Sequence, residues 1–200
     1  VHKPYKAKDH FFKKAKSEGL RARSAFKIEE IAKRHSLFRK GQAVLDLGAA
    51  PGGFLQVIAN AVGTSGTVVG VDIVAIRPLK APGVKTAVLD VLASDFEAKL
   101  LGLYAGPYDC VVSDLAPKTT GIKSTDEARS LALAGVALEV ARKRLKPGGS
   151  YVAKLFMGGG FEEFRDEVRK VFEVVKIVRP EATRGQSMEV YVVGLRLKAA

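Results

Sequence analysis

The stretch Ala43-Val44-Leu45-Asp46-Leu47-Gly48-Ala49-Ala50-Pro51-Gly52-Gly53-Phe54 decides the fold. Ala43–Leu47 is a short apolar run that reads as a buried strand. It empties into a turn rich in glycine, and Phe54–Ala61 resumes with helical periodicity. A strand, a glycine turn and a helix in that order form the ligand-binding corner of an open α/β sheet. Ligands there sit beyond the carboxyl ends of the strands. Glycine lets the ligand approach the backbone closely.

Outward from this corner, strands and helices alternate. Thr67–Ile73, Val84–Leu89, Cys110–Ser113 and Ser150–Phe156 read as further strands. Ser24–His35 and Ser130–Leu145 read as helices, the second stopped by Lys146-Pro147-Gly148-Gly149. Phe161–Val171 is a helix whose Phe161, Phe164, Val168 and Val171 mark a core stripe, and Phe172–Val178 and Glu189–Leu197 are the closing strands. The pattern predicts a Rossmann-like, mostly parallel seven-stranded sheet with helices on both faces. With no helix between the last two strands, an antiparallel hairpin is expected at the sheet edge.

The chain of 200 residues is expected to form one compact domain. Its net charge of +12 is unevenly placed: residues 1–40 hold 13 Lys/Arg against 4 Asp/Glu, and residues 41–200 hold 20 against 17. The expected division is therefore a basic extension and helix over 1–40, mixed with Tyr5, Phe11, Phe12 and Phe26, and a catalytic unit over 41–200. Concentrated cations suit a polyanion, since neutralised phosphates release counterions; a solvated basic tail is the bland alternative. Arg21, Arg23, Lys33 and Arg34, with Arg184 and Ser187 before the last strand, are the candidate nucleic-acid contacts.

No apolar run approaches the ~20 residues of a membrane helix, and the polar N-terminus carries no signal-peptide core. Cys110, the lone cysteine, reads as a core residue. His2, His10 and His35 show no metal-ligand spacing, so no metal is expected. A cytoplasmic monomer without membrane contact is expected.

The turn discriminates between cofactors. A dinucleotide site needs G-x-G-x-x-G, whereas this chain has G-x-x-x-G-G with Pro51 inside. Strand two ends at Asp72, 24 residues after Gly48, where a carboxylate accepts hydrogen bonds from ribose hydroxyls. Strand three ends at Asp90, placed for an adenine amine. Carboxylates repel a pyrophosphate and tolerate a sulfonium, so S-adenosylmethionine is the expected cofactor. Its candidate contacts are Asp46, Gly48, Ala49, Pro51, Gly52, Gly53, Phe54, Asp72, Ile73, Asp90, Val91 and Asp114. Tight strand–helix packing alone is the structural alternative.

Four polar residues remain to be explained. Ser113-Asp114-Leu115-Ala116-Pro117 closes strand four, and Lys154 interrupts the apolar strand Val152-Ala153-Lys154-Leu155-Phe156. A lysine there is costly unless paired or functional. Lys27 lies in the basic helix and Glu189 opens the final strand.

These positions carry a resemblance. The chain is similar to the FtsJ/RrmJ-type family of large-subunit ribosomal RNA 2′-O-ribose methyltransferases. The match lies in Gly19–Lys27, Asp46–Phe54, Ser113–Pro117, Pro147–Ser150, Lys154 with Phe156, Gly158–Phe161 and Ser187–Tyr191. The resemblance implies a catalytic Lys-Asp-Lys-Glu tetrad at Lys27, Asp114, Lys154 and Glu189. It also implies a uridine of large-subunit ribosomal RNA as target. Phe54 departs from the tryptophan of familiar bacterial members. Transfer RNA 2′-O-methylation is an alternative, since related families share the tetrad. A non-catalytic RNA-binding ribosome assembly factor is another, and it predicts a broken tetrad. An acidic Ser-Asp-Leu-Ala-Pro where base-amine methyltransferases carry Asn/Asp-Pro-Pro-aromatic favours ribose oxygen over base nitrogen.

Overall fold

A computed structural model describes residues 10–185 and 187–199. His2, Tyr5 and the first nine residues of the expected basic arm lie outside the described residues. The first elements are helices α1 (His10–Ser17) and α2 (Ser24–His35). The sheet then begins with β1 (Ala43–Leu47), α3 (Gly53–Val62), β2 (Thr67–Asp72), β3 (Val84–Val88), α4 (Phe96–Leu103) and β4 (Tyr108–Ser113). It closes with α5 (Lys123–Arg144), β5 (Leu145–Phe156), α6 (Phe161–Val171), β6 (Phe172–Val178) and β7 (Glu189–Leu197).

Seven strands form one sheet in the order β3-β2-β1-β4-β5-β7-β6. β7 runs antiparallel to both β5 and β6, while β1 pairs with β2 and β4, β2 with β3, and β4 with β5 in parallel. The last two strands do pair as an antiparallel hairpin, but the final strand is not the edge. β7 inserts between β5 and β6, because its run Val190–Val193 is buried and needs a partner on each side. β6 takes the rim, where Glu173, Lys176 and Ile177 face solvent.

Successive residues of β1 serve two cores. Ala43, Leu45 and Leu47 join α5 and α6 on one face. Val44 joins α2 and α3 on the other, together with Ile28, Ile31, Phe54, Ile58 and Tyr191. Helix α2 is thus part of the core and not an appendage to it. Its outer side meets α1 through a small cluster of Ala15, Phe26 and Ala182.

Three elements differ from expectation. Helix α4 is absent from the sequence reading because its apolar face is thin: only Phe96 and Leu100 are buried, and Gly102 interrupts it. Helix α5 starts seven residues before Ser130, at Lys123. Asp126 there accepts hydrogen bonds from Thr120 N (2.7 Å), Thr120 Oγ1 (2.9 Å) and Gly121 N (3.1 Å), which fastens the preceding loop to the first turn. Strand β5 starts at Leu145, not Ser150; the register jumps from Tyr108↔Leu145 to Cys110↔Ser150, so the Pro-Gly-Gly segment is a bulge within the strand. Among the described residues no helix is long and apolar enough to cross a membrane. Nor does any cluster of three or more His, Cys, Asp or Glu there suit a metal ion. Cys110 is buried and free, and burial raises its thiol pKa.

Candidate active site

The carboxyl ends of β1, β2, β3, β4 and β5 open onto a cavity of about 490 Å³. Gly48, Asp72, Ile73, Asp90, Val91 and Asp114 line it, with Lys154 at its inner end. Asp72 organises the near wall: its Oδ2 accepts from Ala50 N and its Oδ1 from Val74 N, both at 2.9 Å. Asp90 Oδ1 accepts from Leu92 N at 2.9 Å in the same fashion. Gly48 is required by space and by conformation. Its φ is +78°, and a Cβ would fall 2.9 Å from Leu115 N, so a side chain there would displace the loop after β4.

The rest of the glycine turn faces elsewhere. Ala49, Pro51, Gly52, Gly53 and Phe54 are absent from the cavity wall. Phe54 is buried among α2 and α3 core residues. A Cβ on Gly52 would lie 2.8 Å from Arg21 Nη1, and one on Gly53 3.1 Å from the Ala22 Cβ. These two glycines therefore make room for the segment before α2. Asp46 is fully buried beneath the cavity, and neither of its carboxylate oxygens has a hydrogen-bond partner. Burial, and then the neighbouring carboxylates Asp114 and Asp72, push its pKa well above the usual range.

The four tetrad positions come together beside this cavity. Pairing of β4 with β5 and of β5 with β7 puts Asp114, Lys154 and Tyr191 in one row, since Ser113 faces Ala153 and Lys154 faces Tyr191. Helix α2 delivers Lys27 onto the same face. Lys27 and Lys154 are only 5% and 8% exposed, so both cations need partners. Lys27 pairs with Glu189 through a short contact. Lys154 Nζ donates to the Asp114 backbone oxygen at 2.7 Å and lies 3.1 Å from its Oδ1. Tyr191, which sequence reasoning noted only as part of a motif, joins the two pairs. Its hydroxyl donates to Asp114 Oδ1 at 2.9 Å, and Lys27 Nζ lies 6.0 Å from its ring centre. Burial, followed by the charges of Asp114 and Glu189, raises the Tyr191 pKa well above the ordinary phenol value, so the hydroxyl stays a donor.

A second cavity, about 560 Å³, opens on the Glu189 side of the tetrad, lined by Arg23, Phe156, Arg184, Gly185, Ser187 and Glu189. Three of the six expected RNA contacts thus converge there, joined by Phe156. The other three do not. Lys33 lines a separate groove with Glu18 and Glu29 behind α2. Arg34 is paired with Glu30 at 2.8 Å, and Glu30 also receives the Glu181 N–H. The Arg21 guanidinium donates to backbone carbonyls: Nη1 to Pro51 O (3.2 Å) and Arg77 O (2.5 Å), Nη2 to Pro78 O (2.7 Å).

The residues around the first cavity fit S-adenosylmethionine. Asp72, Asp90 and Asp114 on its wall favour a cation and disfavour a pyrophosphate. Exposed Ile73, Val74 and Leu92 supply apolar lips for a flat base.

Residues 20–197 match the family described as FtsJ-like methyltransferase. A ribosomal RNA large subunit methyltransferase E of Myxococcus xanthus is 68% identical over 98% of this chain and 92% of its own. The enzyme of the same name in Syntrophobacter fumaroxidans is 45% identical over 97% and 98%. Among solved structures, one described as a ribosomal RNA methyltransferase from Plasmodium falciparum superposes with a TM-score of 0.79 at 22% identity, covering 90% of this chain and all of that one. A SAM-dependent O-methyltransferase from Thermotoga maritima superposes with a TM-score of 0.57 at 13% identity, over 86% and 65%. At such identities the superpositions speak for the Rossmann-like methyltransferase fold alone.

Proposed function

The chain belongs to the FtsJ-like methyltransferase family, and from that premise we propose that it transfers a methyl group from S-adenosylmethionine to a ribose 2′-hydroxyl of large-subunit ribosomal RNA. The observation that carries this reading is the pair of buried ion pairs, Lys154–Asp114 and Lys27–Glu189, set between a carboxylate-rimmed cavity and an arginine-lined one. The relatives' names supply the RNA; an intact tetrad disfavours a non-catalytic assembly factor.

The cofactor would be held by Asp72, Asp90 and the Gly48 turn, and supplies an electrophilic methyl on a sulfonium. What the chain must add is a nucleophile held in place and relieved of its proton. We assign the proton acceptor to Lys154 Nζ. It can accept only after its ammonium has released one proton to solvent, which leaves an amine with two N–H groups and one lone pair. With one N–H donated to Asp114 O and the Asp114 carboxylate 3.1 Å away holding the nitrogen in place, that lone pair is assigned to the hydroxyl proton. Tyr191 keeps Asp114 in that orientation from the other side. Glu189, neutralised by Lys27, borders the second cavity without carrying net charge against the RNA backbone. Arg23 and Arg184 are assigned to phosphates flanking the target ribose.

The test is transfer of labelled methyl to undermethylated large ribosomal subunits and, in parallel, to transfer RNA, followed by alkaline hydrolysis. Alkali cleaves only beside a free 2′-hydroxyl. Label in alkali-resistant dinucleotides from the large subunit is expected, with Lys154→Ala lowering the rate at least about 100-fold. Label in mononucleotides, or undiminished in the variant, overturns the mechanism; label in transfer RNA moves the substrate.

A further inference from the structure

We propose that Arg21 is a positioning residue of the cofactor cavity, acting as an outer staple between the glycine turn and the segment after β2. This rests on the methyltransferase reading above. Two loops meet at the near wall: the glycine turn after β1, which lines it with Gly48 and Ala50, and the segment after β2, which lines it with Ile73 and Val74. Asp72 ties them from inside, accepting Ala50 N on one loop and Val74 N on the other. Arg21 ties them from outside, donating to Pro51 O on the first and to Arg77 O and Pro78 O on the second. One residue therefore bridges both loops at carbonyls immediately beyond the cavity-lining Ala50 and within four residues of Val74.

Three further features show that the chain is built for this contact. Gly52, at φ +107°, lacks the Cβ that would sit 2.8 Å from Arg21 Nη1 and 3.1 Å from its Cδ. The Arg21 backbone N–H donates to Gln56 Oε1 at 2.7 Å, and Gln56 Nε2 donates to Gly19 O at 3.0 Å, so α3 fixes the arginine's own backbone. Arg21 also lies two residues before Arg23, which lines the second cavity. The segment facing RNA is thus the segment that sets the cofactor wall. A planar guanidinium is required, since a single lysine ammonium cannot reach carbonyls fanned across two loops as well.

The staple reading and a phosphate-contact reading part company in binding measurements made without turnover. S-adenosylhomocysteine is titrated calorimetrically into wild-type and Arg21→Ala protein in the absence of RNA, with thermal melting to confirm that both are folded. Wild-type binding bears on the methyltransferase reading; the ratio between variants bears on this one. The expected result is about a tenfold weaker Kd in Arg21→Ala, an intermediate loss in Arg21→Lys, and an unchanged slope of log RNA affinity against log salt. An unchanged S-adenosylhomocysteine Kd with a shallower salt slope would mean that Arg21 neutralises phosphate, and would overturn the proposal.

Discussion

At the scale of single residues, Lys154 and Asp114 are legible from local pattern, whereas Lys27 and Glu189 join them only through the family resemblance. Lys154 sits in an apolar strand and Asp114 ends one, and neither has a packing reason to be there. Asp46, a candidate cofactor contact from its place beside the glycine turn, is fully buried, because strand alternation turns it under the sheet with Val44. That burial carries a prediction. Its folded pKa is raised well above the value near 3.9 of an unfolded aspartate. Below the unfolded pKa both states carry the proton and no penalty arises. As pH rises from there toward the folded pKa, the unfolded state binds fewer protons than the native one, and stability falls. Asp46→Asn removes this penalty. In the cofactor-free protein it is expected to raise Tm by about 2–4 °C at pH 7.5, an effect of ~1 kcal/mol for a chain this size. The gain should shrink toward zero at pH 4. Differential scanning calorimetry at the two pH values checks it, and a gain independent of pH would remove Asp46 from the account.

At the scale of elements, periodicity located each strand within a few residues but failed where a side chain, not a pattern, sets the boundary. Helix α5 is the case in point. Ser124 and Thr125 gave no apolar stripe to read, and what starts the helix is Asp126 gathering Thr120 and Gly121. The same contact holds the loop between Asp114 and α5, which carries cavity residues Leu115 and Ala116. Asp126→Ala is therefore expected to speed amide hydrogen exchange over residues 115–123 by about tenfold, the loss of roughly one charged hydrogen bond, while exchange in β1 and β4 stays as it was. The backbone N–H of Thr120 leads the causes that lower the Asp126 pKa. The latch is accordingly complete above the ordinary aspartate range and is lost as pH falls through the lower folded value. Hydrogen–deuterium exchange by mass spectrometry reads both effects. Uniform protection of the loop in the variant would show that packing holds it instead.

At the scale of the whole molecule, sheet order does what no single motif can. Placing β1 and β4 at the centre and β7 beside β5 brings residues 27, 114, 154 and 189 to one edge and leaves a cavity on each side of them. Sequence order alone could not supply this, because the insertion of β7 between β5 and β6 depends on which buried strand needs two neighbours. The charge asymmetry was legible, yet its division of labour was not. Within the basic first forty residues, Lys27 is paired with Glu189, Arg21 is bonded to carbonyls and Arg34 to Glu30. Long-range attraction must then come from cations outside the tetrad, and Lys13 and Lys16 on the exposed side of α1 are of that kind. Replacing both with glutamine is expected to make the slope of log RNA affinity against log salt shallower by about 1–2 and to weaken binding severalfold at low salt. The rate at saturating RNA and the Kd for S-adenosylhomocysteine should not change, because neither lysine touches a cavity described above. Filter binding across a salt series separates this from the alternative. An unchanged slope would confine electrostatic docking to the arginines around the Glu189 cavity, making the basic N-terminal helix a packing element and nothing more.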